Sequence, residues 1–295
     1  MTLDQLRVFV AVAERQHVTR AAASLNMTQS TASAAIAALE SRHGTPLFDR
    51  VGRGLVLNDA GRTLLPHARD VLAAAAFADG ALEDLTEMRR GHLRLSASQT
   101  VGSYWLPARM VAFAERYPAI ETSLKIGNST QVVAAVSAGE ADLGVIEGPI
   151  VAPDIAVKRI AGDQLMLVAA AGHALAGRAA MSAEDLTAAR WVVREKGSGT
   201  RREAEEALKR IGIDPDARDI GLELPSNEAV LAAVRASAML AVLSELTVAS
   251  AIATGEVVRL PLQLSPRAFL MVTHNQRRQS RASAVFADML TRTDE

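Results

Sequence analysis

Apolar positions follow two different periods along this chain, and the change falls near residue 92. Leu3, Leu6, Val10 and Ala13 stand at helical spacing and predict an amphipathic helix over residues 2–16. Thr19 is placed to cap a short second helix, Arg20 to Leu25, whose Ala21-Ala22-Ala23 lets another helix approach closely. Asn26-Met27 then reads as a turn, and Thr28 as the cap of a third helix running to about Arg42. In that helix Ala32, Ala35, Ile36 and Leu39 share one face. Short apolar segments on either side of Gly52-Arg53-Gly54 predict a small hairpin. Asn58 or Asp59 caps a long helix from near Ala60 to about Met88. Its Leu64, Ala68, Val71, Ala75, Ala78, Leu82 and Leu85 alternate steps of four and three, a heptad seam that calls for a partner helix. Arg89-Arg90-Gly91 breaks the seam.

From His92 short strands alternate with helices. Leu93–Ala97, Ile120–Ile126, Leu143–Ile146, Ile155–Ile160, Leu165–Ala169, Trp191–Arg194, Ile220–Leu224, Leu240–Leu243, Val257–Leu260 and Phe269–Thr273 read as strands. Helices are expected over Val101–Arg116, Thr130–Ala138, Thr200–Ile211, Asn227–Ser237 and Ser280–Arg292, with a short one starting at Ser182. Such alternation predicts an α/β architecture with ligand sites at strand C-terminal ends.

Composition narrows the class. The 295 residues suffice for two or three domains, and 49% apolar content with 22% charge is ordinary for a chain that buries real cores. No cysteine is present, which excludes disulfides, thiolate metal sites and cysteine nucleophiles. No run approaches the roughly 18 apolar residues needed to span a bilayer, and the N-terminus lacks a signal pattern, so a cytoplasmic location and no membrane partner are expected. The net charge is −1, yet the first 69 residues carry eight arginines against five acidic residues. A modest local basic excess is enough for a DNA-reading face.

Candidate DNA chemistry follows from placement. Thr28, Gln29, Ser30, Thr31 and Ser33 lie off the apolar stripe at the start of the third helix, the part of a helix-turn-helix that enters a major groove. Gln reads adenine through two hydrogen bonds, and Ser or Thr reads either partner. Arg50 and Arg53 on the hairpin are placed for phosphates or a narrow minor groove. A solvated helix face is the plain alternative; the paired helix and hairpin argue against it. Pairing through the seam would set two such helices about 34–36 Å apart on double-stranded DNA.

In the second half, four strand-to-helix junctions carry small polar residues: Ser98-Gln99-Thr100, Asn128-Ser129-Thr130, Ser198-Gly199-Thr200 and the stretch ending in Asn227. Converging on one cleft, their helix N-termini and hydroxyls would suit an anionic small molecule. Lys196, Arg201 and Arg202 add charge beside the third junction, and Glu147 could line the same cleft or simply turn the chain. Enzyme signatures are poor. The G-x-x-x-x-G-K-[ST] loop and the G-x-S-x-G elbow are absent, and the six histidines show no metal-ligand pairing. No catalytic residue, metal or cofactor is expected.

Leu6, Phe9, Val12 and Ala13, then Ala21-Ala22 with Leu25, Gln29, Ser33, Ile36, Leu39-Glu40, Gly44, Leu47-Phe48, Arg50, and Leu57 before Ala60-Gly61 form a string that resembles the LysR-type transcriptional regulators over essentially the whole chain. The resemblance implies a winged helix-turn-helix over 1–59, a linker helix over 60–90, and an effector domain over 91–295 like type 2 periplasmic binding proteins. Its lobes would span about 91–161 with 266–295, and about 162–265. It also implies cytoplasmic homo-oligomers whose geometry on an operator changes when an effector binds between the lobes. Ser96–Thr100, Gly139–Gly144, Glu147-Gly148-Pro149 and Arg194–Arg201 resemble the subgroup of carbon-fixation and sulfur-metabolism regulators, whose effectors are often anionic. Ala34 departs from the family, standing where many members carry a basic residue. The competing class is a small-molecule receptor or enzyme with a vestigial N-terminal domain.

Overall fold

The computed structural model describes residues 1–51, 54–84 and 91–292, with the side chains of 51, 76–77 and 79–84 outside that description. Two compact units result, one made of Met1–Leu85 and Ala138–Glu140 and a larger one made of Thr86–Ser137 and Ala141–Glu295.

In the first unit α1 (Leu3–Arg15) opens with a capping box. The Thr2 hydroxyl accepts from the Gln5 N–H, and the Gln5 side chain accepts from Thr2. Its buried side chains are Leu6, Val8, Phe9, Ala11 and Val12. Leu3 is exposed and Val10 and Ala13 only half-buried, so the buried stripe is rotated from the expected one and centres on Phe9. Phe9 packs on Phe48 with ring centroids 5.5 Å apart. α2 (Val18–Ser24) starts two residues earlier than the sequence suggests. His17 is its N-cap without a side-chain bond, and Thr19 lies inside the helix and caps nothing. α3 (Gln29–His43) is capped by Thr28, whose hydroxyl accepts from the Thr31 N–H, and it ends at Gly44 with φ +62°, a left-handed turn that glycine adopts without strain.

β1 (Phe48–Val51) and β2 (Gly54–Leu57) pair antiparallel as the expected hairpin. α4 (Asp59–Asp84) is capped by Asn58, which accepts from the Gly61 N–H at 2.9 Å. Gly61 is obligatory for packing. A Cβ there would stand 2.2 Å from the Leu47 carbonyl oxygen. Two seam positions are spent within this unit: Ala68 is buried in its core and Leu64 packs against it. Val71 and Ala78 are exposed and Ala75 half-buried. The Leu82 side chain, Leu85, and the expected helix end and break at Met88 to Arg90 lie outside the described residues.

The second unit holds three sheets among the described residues. The first combines β3 (Gly91–Ser98), β4 (Ile120–Gly127), β5 (Leu143–Glu147), β6 (Ile155–Asp163) and β12 (Arg267–His274) in the order β4-β3-β5-β12-β6. β3 runs parallel to β4 and β5; β12 runs antiparallel to β5 and β6. A π-helical turn, Val101–Trp105, leads into α5 (Leu106–Arg116), so the expected single helix is broken beside the junction that carries Thr100. Such π-turns cluster at functional sites. α6 (Ser129–Ser137) and α11 (Arg281–Thr291) complete this lobe, whose core includes Phe113, Phe269 and Phe286.

The other lobe contains β7 (Leu165–Ala170), β8 (Arg190–Arg194), β9 (Asp219–Leu224), β10 (Ala241–Ser244) and β11 (Val257–Arg259). β10-β7-β11 is antiparallel, β8-β9 is parallel, and a Trp191–Leu240 bridge joins the two groups. α7 (Ala183–Ala188), α8 (Gly199–Arg210), α9 (Asn227–Arg235) and α10 (Glu245–Ala253) pack around it. α10 was not expected from the sequence. It is apolar on nearly every side, so its stripe lacks the contrast that marks an amphipathic helix. The chain crosses between lobes twice, after Asp163 at the end of β6 and before Arg267 at the start of β12, and these two residues are register partners.

Candidate functional site

Two regions carry the expected chemistry, one in each unit. On α3, Gln29, Ser30, Thr31 and Ser33 are exposed, as is Thr28. Their roles differ. Thr28 lies 2.8 Å from both the Ser30 and Thr31 hydroxyls while capping the helix, so its oxygen is engaged locally. Gln29 and Ser33 make no side-chain hydrogen bond among the described residues, which leaves them free to read a groove. Arg50 is exposed on β1. Arg53 lies outside the described residues.

In the second unit the four junctions come together. Ser129 and Thr200 are fully buried at the starts of α6 and α8, and the two helix N-termini nearly touch: a Cβ on Gly199 would lie 2.6 Å from the Ser129 hydroxyl and from the Glu147 carbonyl oxygen. Glu147, whose placement the sequence left open, lines the cleft. Its carboxylate is buried, with Oε2 3.4 Å from the Ser129 hydroxyl. Gln99 spans the lobes, donating from Nε2 to the Pro225 carbonyl at 2.9 Å and accepting from the Asn227 N–H at 3.0 Å. Asn227 Nδ2 donates to the Thr100 hydroxyl at 3.1 Å. Asn128 reaches Glu195 at 3.3 Å. Thr130 is exposed, and its backbone N–H meets the Gly197 carbonyl at 3.5 Å. Two members stand back from the centre. Ser98 is buried against the Val145 carbonyl, and Ser198 caps α8.

The added charges behave differently from the sequence expectation. Arg201 is neutralised within its own lobe by Glu205 at 2.8 Å and Glu223 at 2.6 Å. Among the described residues Arg202 hydrogen-bonds only the Glu147 carbonyl, at 3.2 Å. Lys196 is exposed. The cation at the centre is Arg267, which the sequence reading missed. It is wholly buried and donates to both oxygens of Asp163 at 2.5 and 2.8 Å, to Thr200 at 2.9 Å and to Thr100 at 3.2 Å. Burial opposes its charge. The Asp163 bond, with the charges of Glu147, Asp163 and Glu203, outweighs that and holds its pKa above the ordinary arginine value. Asp163 also accepts from Ser244, and Arg194, equally buried, binds Glu195 and the Asn227 side-chain oxygen. In sequence these residues look like charges at strand ends. Only their register across two crossing strands makes them central.

The family described as Bacterial regulatory helix-turn-helix protein, lysR family, matches residues 3–62, and LysR substrate binding domain matches residues 86–295. The chain is 36% identical over 290 residues to the uncharacterized HTH-type transcriptional regulator YeiE of Escherichia coli K12, covering 98% of this chain and 96% of that protein. It is 32% identical to the HTH-type transcriptional regulator CbbR of Rhodospirillum rubrum, covering 90% and 86%. Among solved structures it resembles the Synechocystis PCC6803 CcmR regulatory domain in complex with 2-PG, with a TM-score of 0.62 and 29% identity over 68% of this chain and 96% of that one. Full-length CbnR complexed with target DNA shares the fold at a TM-score of 0.67 and 22% identity, over 98% and 99%. A DNA-reading helix-turn-helix followed by a two-lobed α/β domain, matched on both parts, places the chain in the LysR family of DNA-binding transcriptional regulators.

Proposed function

We propose that this regulator responds to a small oxyanion or organic acid held between its lobes, and that Thr100, Ser129 and Thr200 make the main contacts. The carrying observation is the meeting of the α6 and α8 N-termini, with Ser129 and Gly199 in contact range. Helix N-termini and hydroxyls favour negative charge without requiring a surplus of basic side chains. That matters here, because Arg267 shares the centre with two carboxylates, Asp163 and Glu147. Glu147 supplies an acceptor, so a ligand with a proton-bearing oxygen beside its anionic group satisfies both poles. The 2-PG complex of a relative 29% identical to this chain supports the same ligand class. Ser98, Gln99, Asn128, Thr130, Ser198, Gly199 and Asn227 shape and close the cleft.

On this reading the chain acts in the cytoplasm as a homo-oligomer paired through α4, on a double-stranded operator contacted by Gln29, Ser30, Thr31, Ser33, Arg50 and Arg53. Thermal unfolding of the full chain with sulfate, phosphate, glycolate and 2-phosphoglycolate tests the ligand class. A true ligand at one hundred times its Kd stabilises by about 2.7 kcal/mol, and Thr200→Val should remove most of that gain. A melting curve unmoved by all four would end the anion reading.

A further inference from the structure

We infer that Arg267, clamped by Asp163, is a positioning residue that fixes which way the Thr100 hydroxyl faces and so selects the ligand's chemistry at that point. The inference rests on the proposed effector cleft and goes beyond it in naming what sets its specificity.

Hydrogen-bond capacity sets the direction of the Thr100 hydroxyl. A hydroxyl has one hydrogen and two acceptor lone pairs, whereas a guanidinium has five N–H donors and no acceptor. Thr100 is wholly buried and receives two donors, Arg267 Nη2 at 3.2 Å and Asn227 Nδ2 at 3.1 Å. The orientation of the Asn227 amide is forced. Its oxygen faces Arg194, which can only donate, so its nitrogen must face Thr100. Both Thr100 lone pairs are thereby spent, and no acceptor for its hydrogen is in hydrogen-bonding range among the described residues. The hydroxyl is left as an obligate donor. Thr200 accepts from Arg267 Nη1 at 2.9 Å, which turns its hydrogen away from the guanidinium as well.

Arg267 is not itself the ligand's partner. Four of its N–H groups are bonded to Asp163, Thr100 and Thr200, and the remaining direction faces Glu147 Oε1 at 3.9 Å. It acts through the threonines. Their position then takes an oxygen with free lone pairs, such as a carboxylate, sulfate or unprotonated phosphoryl oxygen. An alcohol or ammonium hydrogen pointing there would meet a donor and be rejected.

The probe is inorganic phosphate at pH 7, titrated calorimetrically into the full chain. Thr100→Val should weaken binding roughly tenfold, the scale of one lost hydrogen bond to a charged group, while Thr100→Ser should not. Arg267→Lys, which keeps charge for Asp163 but cannot fork to both threonines, should weaken it by at least as much. In that background Thr100→Val should cost little more, because the hydroxyl is already free to turn. Multiplicative, independent losses would show Arg267 to be structural and would overturn the inference. Should Arg267→Lys fail to fold, Asn227→Leu replaces it in the cycle, since it releases one Thr100 lone pair, with the same two outcomes. If the wild-type chain binds no phosphate, the effector reading fails and this inference with it; binding with additive losses removes this inference alone.

Discussion

The phenol of Tyr104, on the π-helical turn, donates to a carboxylate oxygen of Glu228 on the first turn of α9, 3.1 Å away in the opposite lobe. Burial, followed by the charge and hydrogen bond of Glu228, raises the Tyr104 pKa above its ordinary 10.0. The folded state thus favours the neutral phenol. Its contribution is complete below pH 10 and is lost as pH rises through the raised pKa. Tyr104→Phe should lower the melting temperature at pH 8, and the gap from wild type should close toward pH 11. A gap that stays constant with pH would mean the phenol does not lose its partner by ionisation.

Gly199 sits where two helix N-termini approach too closely for a side chain. The Cβ of Gly199→Ala would lie 2.6 Å from both the Glu147 carbonyl and the Ser129 hydroxyl, and neither is the far end of a flexible chain. Overpacking of this kind typically costs about 1–3 kcal/mol. Denaturant unfolding should show that loss, and phosphate or 2-phosphoglycolate should no longer stabilise the protein. Retained stabilisation would place the ligand elsewhere.

On α3, Thr28 caps the helix and Gln29 is exposed, so stability and the proposed base reading can be tested separately. Thr28→Ala removes the cap and should cost about 1 kcal/mol of stability. Gln29→Ala touches no bond among the described residues and should leave the melting curve within error while abolishing specific operator retardation. Equal operator binding by Gln29→Ala would reassign the base-reading role.

α4 spends Leu64 and Ala68 on its own unit, which leaves Val71, Ala75 and Ala78 as the described seam positions available to a second copy. Val71 is 41% exposed, a large apolar side chain on a long helix. Val71→Glu should shift the protein toward monomer in light scattering without altering the fold seen by circular dichroism. An unchanged mass would take the pairing surface away from this part of the helix.

Most local structure was legible because it rests on short-range rules. Thr28 before a small-residue helix, Gly44 after it, Asn58 three residues before Gly61, and a serine or threonine at each strand-to-helix junction declare themselves in the linear chain. The failures were local contrasts too weak to read, such as the nearly all-apolar α10 and the uncapped start of α2 at His17. The sequence by itself therefore determined most of the order of elements, the helix-turn-helix with its hairpin, and the loops that line the cleft, since periodicity and capping act over three or four residues. Only tertiary structure decided what occupies the centre of that cleft. Asp163 and Arg267 are 104 residues apart and meet because β6 and β12 run antiparallel as the chain crosses between lobes. Tertiary packing likewise cancelled Arg201 against Glu205 and Glu223, turned Glu147 inward, and divided the heptad seam between its own core and an exposed face. Pairing of charges depends on distances in space, and spacing along the chain carries no measure of them.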